Sequence, residues 1–257
     1  DVYKRQPAEG NGGRFRFVNL PDTLSPELLA PLYQGRVTES DHQPGVNDLA
    51  ALGYQSGTIT SPAPGRLLYR QQAWGDVSYE IGLQWEQPHT GVLDGGYYVT
   101  SKGTWYSGDT GRADHLNISF DEALASHQNW WEQYWKQSSV SLPDTLLERQ
   151  WYLEMYKFGA ASRRKAPPIC LQAIWTADNG QTPPWRGDFH SDLNTQLSYW
   201  AGYTANHLEE SAVFTDWLWR IKENSEQFTR QFFQVEGLNV PCIATLTGQP
   251  IGGWSPY

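Results

Sequence analysis

The sequence lacks the features that define several classes of protein. None of its apolar runs approaches the ~18 residues that a membrane span needs. Its 19 Lys and Arg residues are outnumbered by 28 Asp and Glu, and the net charge of -9 argues against nucleic acid or an anionic membrane surface as a partner. The two cysteines, Cys170 and Cys242, are too few for a disulfide framework and match no metal-binding spacing. Walker, dinucleotide-binding, zinc-protease and nucleophile-elbow motifs are also missing.

Aromatic residues are plentiful instead, with 13 Trp and 14 Tyr, and a large aromatic core accounts for most of them. Four polar residues occupy alternate positions in one aromatic stretch: Asp188, His190, Asp192 and Asn194. If the run is extended, all four side chains lie on one face. If it is helical, Asp188 aligns with Asp192, and His190 with Asn194.

The first half of the chain is predicted to be β-structure. Apolar residues alternate with others over residues 14–18 and 77–86, and the pattern continues over 97–106 and 116–120. Strands separated by turns, with no long helix between them, favour an antiparallel β-sandwich.

The second half is predicted to be helical. Three pairs of residues have the spacing of a capping box: Ser119 and Glu122, Thr145 and Glu148, and Asn206 and Glu209. The helices that they predict run to about residues 137, 161 and 221, and a further helix ends near residue 237. The third helix is expected to bury Leu208 and Ile221.

The polar run suits a sugar-binding site. Sugar rings have apolar faces that pack on indole, and three tryptophans near the run are candidates: Trp175, Trp185 and Trp200. Hydroxyl edges need planar hydrogen-bonding partners, for which the candidates are Arg186, Asp192, Asn194 and Gln196. His190 is expected either to donate to a sugar hydroxyl or to be a satisfied structural histidine. A metal site is disfavoured, because alternate residues of one strand rarely converge on one ion.

Longer phrases of the same stretch resemble a known enzyme family. They are Leu171-Gln172-Ala173-Ile174-Trp175, Thr182-Pro183-Pro184-Trp185, Gly187-Asp188-Phe189-His190, Asp192-Leu193-Asn194, Gln196 and Tyr199-Trp200. Together they resemble glycoside hydrolase family 95, whose members are mainly α-L-fucosidases, and the resemblance covers about residues 120–257. It implies a β-sandwich over residues 7–120, a helical linker over 121–143 and the first part of an (α/α)6 catalytic toroid over 144–257. Residues 1–6 are expected to be a non-native remnant, and the chain is expected to be a fragment.

The resemblance also implies a chemistry, the inverting hydrolysis of terminal α-L-fucosyl or related L-galacto-configured residues. In the family an Asn-x-Asn pair orients the attacking water; Asn194 matches its second position, and Asp192 stands where the first asparagine is expected. The aromatic and polar residues named above are then substrate-binding candidates, and no cofactor or metal is implied. The family's general-acid glutamate and aspartate base are expected beyond Tyr257, so the isolated chain is expected to be inactive. Family habit suggests a periplasmic or secreted bacterial enzyme.

Two other functions fit the same residues. A glycoside phosphorylase of similar architecture would need a basic phosphate pocket, for which the stretch offers only Arg186. A carbohydrate-binding protein that has lost catalysis is compatible with the aspartate at position 192.

Overall fold

The computed structural model describes residues 2–5 (backbone only), 12–18, 55, 57–73, 75–102, 118–163, 166–171 and 189–251. The chain forms two compact units, Asp1–Glu132 with Asp178–Thr182, and Gln133–Ala177 with Pro183–Tyr257. The domain limits expected from the sequence stay a prediction. The candidate residues Trp175, Trp185 and Arg186, together with Asp188, lie outside the described residues.

The first unit contains an antiparallel sheet, as the alternating pattern predicts. Its six strands are β1 (Val2–Arg5), β2 (Gly12–Phe17), β3 (Thr58–Ala63), β4 (Arg66–Gln72), β5 (Ser78–His89) and β6 (Val92–Lys102). They are arranged in the order β1-β2-β6-β5-β4-β3. The strands predicted over 14–18 and 77–86 are confirmed by β2 and β5.

One polar residue of β5 is buried, although the alternation predicts a polar face there. Glu80 is only 9% exposed. Its two carboxylate oxygens accept hydrogen bonds from Arg70 Nε at 2.8 Å and from the Tyr98 hydroxyl at 2.9 Å. These neighbours come from the adjacent strands β4 and β6, and they satisfy the carboxylate that burial would otherwise destabilise.

The second half is helical, as predicted. The helices are α1 (Phe120–Gln137), α2 (Thr145–Ala161), α3 (Leu193–Thr204), α4 (Leu208–Arg220) and α5 (Lys222–Phe228), and a π-helical turn (Thr229–Phe233) follows α5. Two short strands, β7 (Phe189–His190) and β8 (Ile243–Ala244), pair with each other. Phe120 begins α1 rather than ending a strand, so the strand predicted over 116–120 is wrong at its described end.

The predicted capping boxes have different outcomes. The first is confirmed, because the Ser119 N–H donates to the Glu122 carboxylate at 2.8 Å and the Glu122 N–H donates to the Ser119 hydroxyl at 3.2 Å. The second is wrong by one residue, since α2 is capped by Asp144, whose Oδ1 accepts from the N–H groups of Leu146 and Leu147. The neighbouring Thr145 is already helical.

The third capping box is wrong, because Asn206 ends α3 instead of starting α4. Its φ of 59° is left-handed, and its N–H donates to the carbonyl of Tyr203 at 3.3 Å. The next N–H, that of His207, reaches back to the carbonyl of Gly202 at 2.9 Å, which completes a Schellman motif. Leu208 is 55% exposed and not buried as expected, whereas Ile221 is buried.

The core of the second unit lies where β7, α4 and the segment after α5 meet. Its buried members are Phe189, Trp217 and Ile221. Partly buried side chains pack around them: Cys170, Phe214, Leu218, Val240 and Leu246. The candidate site is therefore attached to the best-packed region of this unit through Phe189.

Candidate functional site

The polar run changes structure in its middle, so neither geometry expected for it holds. Phe189 and His190 form β7, Ser191 and Asp192 form a turn, and α3 begins at Leu193. Asp192 is the N-cap of α3. Strand, turn and helix thus place His190, Asp192 and Asn194 in three different local environments.

A β-hairpin that begins with β8, about 50 residues later in the sequence, holds this turn in place. His190 is paired with Ile243, and the Ser191 N–H donates to the carbonyl of Cys242 at 2.7 Å. The hairpin itself is anchored by two side-chain donors, Trp217 Nε1 to the carbonyl of Leu246 and Asn224 Nδ2 to that of Thr247, each at 2.7 Å. Because Trp217 is buried in the core, these hydrogen bonds fix the hairpin and through it the start of α3.

Asp192 and Asn194 lie together at the exposed start of α3. The Oδ1 atom of Asp192 accepts from the backbone N–H of Asn194 at 3.2 Å and from its side-chain amide at 3.3 Å. A carboxylate is favoured here because the first turn of a helix carries partial positive charge. Both residues are exposed, and no hydrogen bond from the described residues uses Asp192 Oδ2 or Asn194 Oδ1.

The other candidate residues are placed differently. His190 is 8% exposed, whereas Gln196 and Trp200 are exposed on α3. Gln196 and Trp200 are four residues apart and share one helix face. Trp200 lies eight residues beyond Asp192, or about 12 Å along the helix axis. Trp200 therefore lies about two helical turns from Asp192.

Sequence reasoning missed one neighbour of Asp192. Cys242 is only partly buried. Burial raises the pKa of its thiol, and the nearby Asp192 carboxylate raises it further. No local pattern links two residues 50 positions apart; the link depends on the pairing of β7 with β8.

Two further findings concern ions and membranes. Within the ranges that the structure describes, no three His, Cys, Asp or Glu residues are grouped so that they could hold a metal ion. No described helix is long and apolar enough to cross a membrane.

The sequence was compared with known families. The family model described as "Glycosyl hydrolase family 95 catalytic domain" matches residues 113–254, which is more than half of the chain. The chain belongs to glycoside hydrolase family 95. The resemblance inferred from the residues is thereby confirmed.

A curated relative of this family 95 chain is the "Probable alpha-fucosidase A" of Aspergillus niger (strain ATCC MYA-4892 / CBS 513.88 / FGSC A1513). The two are 39% identical over 46 residues, which is 18% of this chain and 6% of the fungal protein. The match therefore spans far less than two thirds of that relative. The paired strands β7 and β8 and the start of α3 fall within the residues that match the family 95 model.

Proposed function

We propose that this family 95 chain is part of a glycosidase that hydrolyses terminal α-L-fucosyl or related L-galacto-configured residues with inversion. The observation that supports it best is the solvent-facing pair of Asp192 and Asn194 at the start of α3. The pair lies within the residues that match the catalytic-domain model. The fungal relative, by its name a probable α-fucosidase, supports the choice of sugar.

The proposed roles follow from the two acceptor oxygens. A water molecule that donates to Asp192 Oδ2 and Asn194 Oδ1 would have its lone pair directed away from the protein, toward a sugar carbon. An ionised Asp192 would strengthen that orientation, because hydrogen bonds to charged acceptors are stronger than those to neutral ones. Inverting enzymes also need two carboxyl groups, a general acid and a general base, about 6.5–9.5 Å apart. We assign both to residues beyond this chain, with Asp192 and Asn194 orienting the water between them, and the isolated chain is therefore expected to have no turnover.

Substrate binding is proposed at two distances from the pair. Gln196 would contact the sugar beside the pair, and Trp200 a neighbouring sugar or the aglycone, because they lie about one and about two helical turns beyond Asp192. His190 would act indirectly, since it is buried in the strand that positions the turn. Trp175, Trp185 and Arg186 remain proposed sugar contacts. The sandwich over residues 7–120, the linker over 121–143 and the (α/α)6 toroid from residue 144 are part of the same proposal.

A second candidate function is carbohydrate binding without hydrolysis. It is favoured by Asp192 itself, where the family pattern has asparagine. An aspartate there caps α3 and can also bind a sugar hydroxyl, so its presence alone does not require catalysis.

The test uses the full-length natural protein with aryl α-L-fucoside, α-L-galactoside and β-D-galactoside as substrates. For Asp192→Ala we expect kcat for the fucoside to fall by ~10²-fold or more. Asp144→Ala is the matched control, because Asp144 also caps a helix, α2, through hydrogen bonds to two N–H groups. It removes a cap without touching the site, and it should retain wild-type kcat.

Three results would change the conclusion. Equal turnover in wild type and Asp192→Ala would remove Asp192 from the catalytic machinery. Sugar binding with no turnover of any glycoside would favour the binding protein. Release of the β-anomer as the first product is expected from inversion of an α-fucoside, and release of the α-anomer would refute that part of the proposal.

A further inference from the structure

A buried polar cluster lies at the other end of α3, away from the proposed active site. His207 is fully buried, and its ring stacks on that of Tyr134 with centroids 3.8 Å apart and planes 8° apart. One turn later, Glu210 is 7% exposed. Its Oε2 atom lies 4.0 Å from His207 Nδ1.

Three buried polar atoms of these two side chains form no hydrogen bond with the described residues. Neither ring nitrogen of His207, nor Glu210 Oε2, has a hydrogen-bond partner among the described residues. Burying such atoms unpaired is unfavourable, and native proteins satisfy nearly all of them. The separation of 4.0 Å is too long for a direct hydrogen bond, but a single water molecule bonded to both atoms spans it.

The surrounding charges do not favour an ion pair between the two residues. Burial lowers the pKa of His207 and raises that of Glu210, so both effects oppose charge. The positive charge of Arg163, which follows α2, lowers the pKa of Glu210 and so opposes the effect of burial. The negative charge of Glu209 on α4 raises that pKa further. Burial raises the pKa of Tyr134 on α1, which therefore faces the cluster as a neutral phenol. Burial lowers the pKa of Arg163 to about 10, so this residue remains the positive charge of the cluster.

The backbone around His207 explains why this position matters for the fold. Its N–H closes the last turn of α3, and its carbonyl accepts from both the N–H and the hydroxyl of Ser211 in α4. The hydroxyl of Ser162, just after α2, donates to the carbonyl of Glu210 at 2.8 Å. The cluster therefore joins α2, α3 and α4 to the ring of Tyr134 on α1.

We propose that His207 and Glu210 form a binding site for one internal water molecule, which bridges Nδ1 and Oε2. Nδ1–H donates to the water, and the water donates to Oε2. This tautomer leaves Nε2 as a buried acceptor with no partner among the described residues, which is less unfavourable than a buried N–H with no acceptor. The inference concerns the junction of the helices and does not depend on the proposed sugar chemistry.

The first experiment is long-range ¹H–¹⁵N correlation spectroscopy of the 257-residue chain with labelled histidine. The chain has six histidines, so the signals of His207 can be assigned from His207→Asn, or by single replacement of the other five if that variant does not fold. We expect a neutral ring at pH 7 with the proton on Nδ1. An imidazolium ring, or a neutral ring protonated on Nε2, would overturn the proposal.

A second experiment observes the water directly. A crystal structure at a resolution that shows ordered solvent should contain one water within hydrogen-bonding distance of Nδ1 and Oε2. In Glu210→Leu the water should be lost and the His207 ring signals should move, whereas Glu209→Leu, one position earlier and exposed, should leave both unchanged. A dry gap in the wild type, or a direct contact between the two side chains, would refute the site.

Discussion

Gly202 lies where α3 packs most closely against its neighbours, and adding a methyl group there should destabilise the second unit. A Cβ atom at this position would lie 2.5 Å from Phe158 Cζ on α2, and closer still to Ser211 Oγ on α4. Overpacking of this kind costs about 1–3 kcal/mol. Alanine is the better helix former by about 1 kcal/mol, which opposes the clash. Because the methyl group meets atoms on two sides, we expect the clash to dominate and Gly202→Ala to lower the free energy of unfolding by about 1 kcal/mol net.

The neighbouring residue supplies a matched control for this prediction. Ala201 is exposed on the same helix, so Ala201→Gly should cost about 1 kcal/mol through helix propensity alone. Urea unfolding followed by tryptophan fluorescence measures both variants, with two transitions fitted because the chain has two compact units. Phe158→Leu combined with Gly202→Ala should recover part of the loss, since the two changes share one contact. A Gly202→Ala variant as stable as the wild type would refute the close packing of α3 against α2 and α4.

Two further predictions concern buried polar groups of the same unit. Trp217→Phe removes the hydrogen bond from Nε1 to the carbonyl of Leu246 and should lower the free energy of unfolding by about 1–3 kcal/mol; amide hydrogen exchange in residues 240–251 should accelerate, and unchanged exchange there would contradict the anchoring role. Burial raises the pKa of Glu210 in the folded protein above its unfolded value of about 4.3. The stability linked to Glu210 is therefore complete below that unfolded value and is lost as the pH rises through the folded pKa, so urea midpoints of the wild type should fall relative to Glu210→Gln over that window. If the difference between the urea midpoints of the wild type and Glu210→Gln stayed constant over this pH range, the prediction would be contradicted.

Local patterns predicted the elements whose stabilising contacts are local. The start of the helix from Phe120 to Gln137 is predictable because Ser119 and Glu122 are three residues apart and their side chains bond within the first turn. The β5 strand is predictable because apolar side chains alternate with polar ones over residues 77–86, most of its length. In both cases the information lies within a single element.

The predictions that failed depended on information from outside the element. Asp144 and Thr145 are adjacent and both suit an N-cap, and only the direction of the preceding chain decides between them. Asn206 suits an N-cap and also a left-handed helix end, and the outcome depends on whether α3 ends there. Glu210 is acidic in the first turn of α4, which predicts a solvated side chain, but α1 and the segment after α2 cover it. In the candidate site, the contact of Ser191 with Cys242 exists only because β7 and β8 pair across about 50 residues of chain.

Folding and chemistry place different requirements on residue 192. Asn and Asp are about equally effective N-caps, so the start of α3 accepts either residue with little change in stability. Its exposed position also adds no packing constraint. Asparagine and aspartate are therefore nearly equivalent for folding at this position, and the aspartate differs by presenting a charged acceptor beside Asn194. In the role proposed for this pair, the binding of the attacking water, a difference of one charge would act on chemistry and sugar selection. Asp192→Asn is consequently the variant that should change the substrate preference of the full-length enzyme while leaving its urea midpoint unchanged.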